Sequence, residues 1–337
     1  MSAIAYHFEP GSDLAGLTSA SQQVPEPGPG QIVIRVHAAA VNRRDLMIVE
    51  GTSLPATPGV VPLADGVGDV VAIGSGVVRA AVGDRVTSTF YVSWTDGPMR
   101  VAEARDQYGL SHDGMLANYA VLEEESVVHV PEHLSDEEAA SLATAGVTAW
   151  SALTAGRPVL PGQNVLVVGA GSVGQFAVQF AHILGARVIV IGSTARAEFL
   201  RGLGADEVID HHTTHDWENV VRELTGGDGV DHVIETVGPR TFANSRAAAA
   251  LNGAITIIGM FQAADDDAVQ DPFQGRPLTI RHLNVGSRAE FEAMNEVIAK
   301  YQLHVAIDRV FPLEQAVEAY RYLREGKPVG KVVITMQ

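Results

Sequence analysis

The sequence of 337 residues predicts a two-domain α/β protein, in which a β-rich region precedes a doubly wound parallel sheet. Residues 1–123 contain short runs of alternating apolar and polar residues, separated by Gly/Pro turns. From about residue 135, continuous apolar runs alternate with helical patterns, which is typical of strands that helices cover on both faces. A glycine-rich loop joins the first of these strands to its helix.

The β-rich region begins with a rigid turn at residues 25–30, which leads into a half-buried strand at 31–37. We expect further strands at 67–73, 84–87 and 116–122, and one short helix at 42–49. The second region starts at a capping box formed by Ser135 and Glu138. Strands and helices then alternate from residue 165 to residue 258, with the helices expected at 173–184, 195–203, 217–224 and 242–251. Two helices (288–300 and 313–325) and a strand (330–335) complete the pattern.

The composition excludes several classes of function. The net charge is 23 − 40 = −17, which argues against binding to nucleic acid or to anionic lipid, because both require a basic surface. The sequence has no cysteine, so disulfides, thiolate zinc sites, iron–sulfur clusters and cysteine nucleophiles are excluded. It shows neither a membrane-spanning apolar run nor a secretory signal, and we expect a cytoplasmic protein that acts on a small molecule.

The glycine-rich loop at residues 169–174 fits the G-x-G-x-x-G pattern of dinucleotide binding. Gly169 permits the tight turn, Gly171 lets the backbone approach a pyrophosphate, and Gly174 lets the helix pack against the strand. Ser172 and Val173 open the helix, whose N–H groups and partial positive charge attract phosphate.

The end of the second strand of this region distinguishes between the two nicotinamide dinucleotides. An NAD site places Asp or Glu there to bind the ribose 2′-hydroxyl, and residues 191–196 contain no acid. Ser193 and Thr194 can donate hydrogen bonds, and Arg196 can pair with a 2′-phosphate unless it is an ordinary solvated helix residue. The sequence therefore favours NADP(H), with NAD(H) as the alternative.

At this point the sequence resembles the medium-chain dehydrogenase/reductase superfamily over nearly its whole length. The motifs that carry the resemblance lie at residues 26–30, 42–46, 63–68, 82–86, 145–150, 203–206 and 330–333, together with the glycine-rich loop. The resemblance implies a GroES-like β catalytic domain at 1–123 and a Rossmann NADP-binding domain at 124–262. A segment at 263–337 is expected to complete the Rossmann domain in part and to return to the catalytic domain.

Within the superfamily, the sequence is most similar to zinc-independent alcohol dehydrogenase-like and quinone oxidoreductase-like members. Zinc-binding members carry Cys, Gly-His-Glu and Cys at the positions that align with Asn42, with Ala64 and Asp65, and with Thr144. None of these residues supplies a thiolate or an imidazole, so we expect no catalytic metal.

A metal-free site suits quinones, enones and activated carbonyl compounds, which need little help from a Lewis acid. We expect Asn42, Asp45 and Tyr91 to be the catalytic candidates, with Asn42 also a candidate contact of the nicotinamide ribose. Two of them have a simpler interpretation: Asp45 forms an ion pair with Arg43, Arg44 or Arg85, and Tyr91 only lines the pocket.

The resemblance also implies cofactor contacts outside the glycine-rich loop. These lie at the entry to the cofactor domain, at its later strand ends, in a loop before the helix at 288, and at two basic positions. They are Thr144, Thr148, Thr236, Val237, Gly238, Ile258, Gly259, Met260, Val285, Gly286, Ser287, His211 and Lys331, with Lys331 as a phosphate ligand.

Other interpretations remain open or are set aside. The histidines at 211, 212 and 215 are expected in a surface loop rather than in a metal site. The same fold also suits a secondary-alcohol or ketone dehydrogenase, or a non-catalytic NADP(H)-binding redox sensor. The family implies a homodimer, which we expect to form through an edge strand such as 254–258.

Overall fold

The computed structural model describes residues 3–259, 277–326 and 328–336. The chain folds as two compact units. Unit 1 combines the residues up to 147 with those from 287 onward, and unit 2 is the continuous stretch 148–286. Among the described residues, none of the helices has the length and apolar character needed to cross a membrane.

The amino-terminal part of unit 1 is mostly strand, as its turn-rich pattern predicts. Its elements are β1 (Ile4–Phe8), β2 (Leu17–Ser21), β3 (Gln31–Val41), α1 (Arg43–Val49), β4 (Asp65–Ile73), β5 (Arg85–Ser88), α2 (Val101–Arg105), β6 (Tyr119–Glu123), β7 (Val127–His129) and α3 (Asp136–Ala139), followed by a π-helical turn at Leu142–Gly146.

Strands and helices alternate through unit 2, and unit 1 then resumes. The elements of unit 2 are α4 (Val147–Thr154), β8 (Asn164–Val168), α5 (Ser172–Ile183), β9 (Arg187–Gly192), α6 (Ala197–Gly202), β10 (Glu207–Asp210), α7 (Trp217–Leu224), β11 (Val230–Glu235), α8 (Pro239–Ala248), β12 (Ala249–Ile257) and β13 (Thr279–His282). The returning part of unit 1 contains α9 (Arg288–Tyr301), β14 (Ile307–Pro312), α10 (Ala316–Arg324) and β15 (Lys331–Thr335).

The large sheet of unit 1 has the strand order β14-β15-β3-β4-β5-β7, and β6 also pairs with β3. β3 lies inside this sheet, between β15 and β4. Its apolar side chains are covered, and Ile32 and Ile34 are fully buried. The register brings the starts of β15 and β4 to the carboxyl end of β3, one on each side. Val332 pairs with Val41 on one side, and Asp65 pairs with Ala40 on the other. The carboxyl-terminal segment thus returns to the first sheet, as the resemblance implied.

The sheet of unit 2 has the order β10-β9-β8-β11-β12-β13, and its strands are parallel. The strand order reverses between β8 and β11, and this reversal opens a crevice at the carboxyl ends of the strands. The hydrophobic core of unit 2 contains side chains such as Leu166, Ile189 and Val233, all fully buried. The predicted doubly wound parallel sheet is confirmed.

Three details differ from the sequence-based expectation. The helix expected at 242–251 spans Pro239–Ala248, because a proline is favoured in the first helical turn. The expectation that 254–258 is an edge strand is wrong, because β13 pairs with β12 beyond it, and β10 and β13 are the edges of the described sheet. The compact units also differ in bounds from the expected domains, since β7 pairs with β5 inside unit 1.

Candidate functional site

The glycine-rich loop of unit 2 has the geometry of a phosphate cradle. Gly169 has a φ of 100°, which is left-handed and favours glycine. A Cβ added at Gly174 would overlap the carbonyl oxygen of Gly169, so the helix can approach the strand only without a side chain there. A Cβ added at Gly171 would meet no described atom within 4 Å, which leaves open space at the start of α5. Ser172 and Val173 are the first residues of that helix. The loop therefore fits a dinucleotide pyrophosphate.

Glu235 at the end of β11 fixes the loop that follows it to the start of α8. This carboxylate is fully buried and accepts hydrogen bonds from the backbone N–H groups of Val237 and Gly238, both at 2.9 Å. Thr241 and Ser245 donate to it through their hydroxyls at 2.9 and 2.5 Å. Burial raises the pKa of Glu235. The resemblance pointed to the strand end at residues 235–238, of which Thr236, Val237 and Gly238 were the expected contacts; the structure adds the supporting role of the Glu235 carboxylate.

The expected contacts at residues 236–238 and 258–259 come together at this edge of the sheet. Thr236 donates from its hydroxyl to the carbonyl oxygen of Val168 at 2.6 Å. The backbone N–H groups of Ile258 and Gly259 both donate to the carbonyl oxygen of Glu235, at 2.9 and 3.0 Å. Met260, expected beside them, lies outside the described residues.

The polar groups expected near a 2′-phosphate lie around the end of β9. Arg196 donates to the carbonyl oxygen of Ala170 at 3.5 Å, which brings its guanidinium to the glycine-rich loop. His211 Nδ1 donates to the carbonyl oxygen of Gly192 at 2.7 Å. The Ser193 hydroxyl accepts from the N–H of Ala195 at 3.3 Å. Arg196 thus contacts the glycine-rich loop, and His211 contacts the end of β9, directly before Ser193.

An acid does lie close by, on the adjacent strand. Asp210 Oδ2 accepts from both the N–H and the hydroxyl of Thr194, at 2.8 and 2.5 Å, and Oδ1 accepts from the N–H of His212 at 2.8 Å. These hydrogen bonds hold the pKa of Asp210 well below its usual range. Asp210 supports the loop of Thr194, and both of its oxygens are engaged by protein donors. The spacing along the chain gave no signal for this contact.

Asp210, His211 and His212 also offer atoms within 4.8 Å of one another that could ligate a metal. Both oxygens of Asp210 and Nδ1 of His211 already make hydrogen bonds within the protein. We derive no metal site from this group.

A buried polar cluster lies in unit 1 at the end of β3. Lys331 donates from Nζ to Asn42 Oδ1 at 2.5 Å and lies 3.5 Å from Asp65 Oδ2. Thr144, in the π-helical turn, donates to Asp65 Oδ1 at 2.5 Å. Lys331 is 2% exposed and Asp65 is fully buried. Burial lowers the pKa of Lys331, an effect that the nearby carboxylates oppose. The ammonium of Lys331 is thus enclosed within unit 1 and bonded to Asn42, and its expected contact with a phosphate stays a prediction.

Asp45 is attached to this cluster through the backbone of Asn42. Its Oδ2 accepts from the Asn42 N–H at 2.8 Å, and its Oδ1 lies 3.6 Å from the guanidinium of Arg44. Arg44 also donates to Gln107 Oε1 and to the carbonyl oxygen of Tyr108, both at 3.1 Å. The ion-pair interpretation is thus confirmed for Arg44. Burial raises the pKa of Asp45 to about 6, so this carboxyl exchanges a proton near neutral pH.

The remaining expected residues are placed by the structure as follows. Tyr91 is buried, with its ring edge-on to Phe90 at 4.7 Å and to Trp94 at 5.6 Å, as expected of a side chain that lines a wall. Thr148 is buried in α4. Ser287 begins α9, where its hydroxyl accepts from the N–H of Glu290 at 3.3 Å.

Val285, which precedes Gly286, has a φ of 65°. This left-handed backbone conformation is strained for a β-branched residue, and such strain is concentrated at functional sites. The observation agrees with the expectation that residues 285 and 286 contact the cofactor, without testing it.

The cluster in unit 1 does not fit a zinc ion. Its members offer an amide, a carboxylate, a hydroxyl and an ammonium, whereas catalytic zinc takes thiolate, imidazole or several carboxylate ligands. The ammonium of Lys331 is itself a cation and lies within 2.5 Å of the oxygen of Asn42. We therefore derive no chemical step through a metal.

Comparison with known proteins finds two family matches along the chain. Residues 28–132 match the alcohol dehydrogenase GroES-like domain, and residues 172–300 match the zinc-binding dehydrogenase family. A zinc-type alcohol dehydrogenase-like protein of Schizosaccharomyces pombe is 37% identical over 315 residues, which cover 91% of each chain. A chloroplast envelope quinone oxidoreductase homolog of Arabidopsis thaliana is 29% identical and covers 96% of this chain and 95% of its own.

Solved structures match over the full length. An NAD-dependent alcohol dehydrogenase has a TM-score of 0.89 with 32% identity, covering 99% of this chain and 100% of its own. A mycobacterial protein complexed with NADPH has a TM-score of 0.81 with 28% identity, covering 99% of this chain and 100% of its own. The chain therefore belongs to the medium-chain dehydrogenase/reductase superfamily, among its alcohol dehydrogenase-like and quinone oxidoreductase-like oxidoreductases.

Proposed function

We propose that this protein is a metal-independent, NADP(H)-preferring oxidoreductase that transfers hydride between the nicotinamide and a carbonyl, enone or quinone. The observation that carries the proposal is the ammonium of Lys331, 2.5 Å from the oxygen of Asn42, where zinc-binding members carry a metal ligand. The bound nicotinamide supplies or accepts the hydride. The side chains of the protein have to orient the substrate, stabilise charge on its oxygen and deliver a proton.

Asn42 is the group in unit 1 best suited to stabilise that charge. Its amide is a neutral donor, weaker than a metal ion, and this strength suits substrates whose carbonyl is already activated by conjugation. Asp45 bonds to the backbone of Asn42 and has a pKa of about 6, so it holds a proton that can be released near neutral pH.

Activity in the presence of a chelator tests the metal-independent part of the proposal. The protein is dialysed against EDTA and assayed with NADPH against a panel of quinones, enones, aldehydes and ketones. We expect turnover of an activated carbonyl compound at the same rate before and after dialysis. A loss of activity that added zinc restores would overturn this part of the proposal.

The preference for NADP(H) is supported by Arg196, Ser193 and His211 around the end of β9 and by the missing acid at residues 191–196. The similar solved structures include an NAD-dependent enzyme and an NADPH complex, so the preference needs its own measurement. Fluorescence titration is expected to give a lower dissociation constant for NADPH than for NADH. Equal or reversed constants would contradict the preference.

The names of several relatives favour a second candidate, a secondary-alcohol or ketone dehydrogenase on the same fold. The substrate panel separates the two, because this candidate predicts faster turnover of plain ketones or alcohols than of enones and quinones. We also propose a homodimer, by analogy with the family, and a monomeric mass from light scattering would contradict it.

A further inference from the structure

Asn42 has four polar groups, of which three are hydrogen-bonded and one is open; its backbone carbonyl oxygen accepts from the N–H of Asp45 at 3.1 Å. Its backbone N–H donates to Asp45 at 2.8 Å, and its side-chain oxygen accepts from Lys331 at 2.5 Å. Its side-chain nitrogen Nδ2 is buried and has no hydrogen-bond partner among the described residues. A buried donor without a partner costs about 1–3 kcal/mol, so its presence calls for an explanation.

The chemistry of lysine decides which way the amide is turned. An ammonium carries three donors and no acceptor, so the atom of Asn42 that faces Lys331 has to be the oxygen. A rotation of the amide by 180° would set two donors against each other. The Nδ2 group is therefore directed away from Lys331, with its N–H bonds available to another acceptor.

The ammonium is itself fixed by neighbours from two other chain segments. Asp65 Oδ2 lies 3.5 Å from Nζ, and the opposite oxygen of Asp65 accepts from Thr144 at 2.5 Å. The strand register determines this meeting, because β15 begins at Lys331 beside the end of β3, and β4 begins at Asp65 on the other side. Charge pairing and hydrogen bonds keep a buried lysine in one position.

We infer that Lys331 is a positioning residue: it fixes the amide of Asn42 so that Nδ2 donates a hydrogen bond to the carbonyl oxygen of the substrate. Lys331 acts through Asn42 and does not touch the substrate. The inference rests on the proposed function, since it assigns the donor to the substrate oxygen of that reaction. In this role the ammonium of Lys331 orients a hydrogen-bond donor, whereas a metal would act on the substrate oxygen as a Lewis acid.

A double-mutant cycle tests this coupling. The variants are Asn42→Ala, the pair Lys331→Met with Asp65→Asn, and all three changes together. The pair removes both charges, so that no buried charge is left alone. Lys300→Met is the matched control, because Lys300 is exposed on α9.

We expect Asn42→Ala to lower kcat about 100-fold, the usual effect of removing one donor to a developing oxyanion. The pair is expected to lower kcat about 10- to 100-fold, and the triple variant to match Asn42→Ala within about 3-fold, since Lys331 acts through Asn42. The dissociation constant of NADPH and the thermal midpoint of the pair should stay near those of the control. Losses that multiply in the triple variant, or an unchanged kcat in the pair, would overturn the inference.

A second measurement needs no turnover. With ¹⁵N-labelled asparagine, the side-chain resonances of Asn42 are identified by their loss in Asn42→Ala. We expect them to shift and broaden in the Lys331→Met/Asp65→Asn pair, because the amide is then able to rotate, and to stay in place in Lys300→Met. Unchanged resonances in the pair would refute the positioning role. A wild type that reduces no compound of the panel, yet shows this shift, would instead refute the proposed function alone.

Discussion

Replacement of Asp45 by asparagine should change how the stability of the protein depends on pH. The pKa of Asp45 is raised from 3.8 to about 6 by burial, so the folded state holds a proton that the unfolded chain has lost. Between these two values, stability falls as the pH rises, because the folded state binds more protons than the unfolded state. The raised pKa corresponds to (6 − 3.8) × 1.36, or about 3 kcal/mol, for a pH change from well below 3.8 to well above 6.

Urea unfolding of the wild type and of Asp45→Asn at pH 4, 5, 6 and 7.5 measures this effect. Since asparagine does not ionise, the variant should gain up to about 3 kcal/mol of free energy of unfolding relative to the wild type across this range. Asp136→Asn, measured in addition at about pH 3, provides a control of opposite sign. The hydrogen bond from His37 and the charge of Arg85 lower the pKa of Asp136, and its contribution is lost as the pH falls below 4. A difference between wild type and Asp45→Asn that does not vary with pH would refute the reasoning.

Three further predictions concern unit 2. Gly174→Ala should weaken NADPH binding at least 10-fold in a fluorescence titration and lower stability by about 1–3 kcal/mol in urea. The reason is that the added Cβ overlaps the carbonyl oxygen of Gly169. An unchanged dissociation constant and stability would count against the glycine-rich loop as a phosphate cradle. Arg196→Met should raise the dissociation constant of NADPH about 10-fold, which corresponds to the loss of one charge-assisted hydrogen bond, and should leave that of NADH unchanged. Arg201→Met is the control, because Arg201 is exposed, and it should alter neither constant. Glu235→Leu should lower stability by about 1–3 kcal/mol and weaken NADPH binding, since it leaves the N–H groups of Val237 and Gly238 without their acceptor, and wild-type urea midpoints would contradict this.

The cofactor loop could be predicted from the sequence because its determinants are local. Gly169, Gly171 and Gly174 lie within six residues, between an apolar run and a helical pattern, and Gly169 and Gly174 each have a steric reason to be glycine. The parallel sheet followed from apolar runs that are themselves continuous in the sequence.

The cluster around Asn42 could not be predicted in the same way. Asn42 and Lys331 are 289 positions apart, and their contact depends on the register between β3 and β15. Register is set by packing across strands, which a single sequence does not display. The resemblance implied a phosphate contact for Lys331, and nothing local in the sequence indicated its bond to Asn42. Asp210 was overlooked for a related reason, because its partner Thr194 lies on the loop of another strand.

The position of β15 in the sheet has a consequence for the order in which the chain acquires its structure. Unit 2 draws all its described strands from one stretch of chain, so it can fold as soon as that stretch has left the ribosome. In unit 1, the end of β3 pairs with β4 on one side, and residues 38–41 lack their second partner until residues 332–335 have been synthesised. A chain that stops after β13 and before β15 would leave this apolar edge of β3 exposed. The exposed edge could then pair with a strand of another molecule. Such a chain would also lack Lys331, whose ammonium lies beside Asn42. The pairing of β15 with β3 therefore completes the sheet and the polar cluster at the same time.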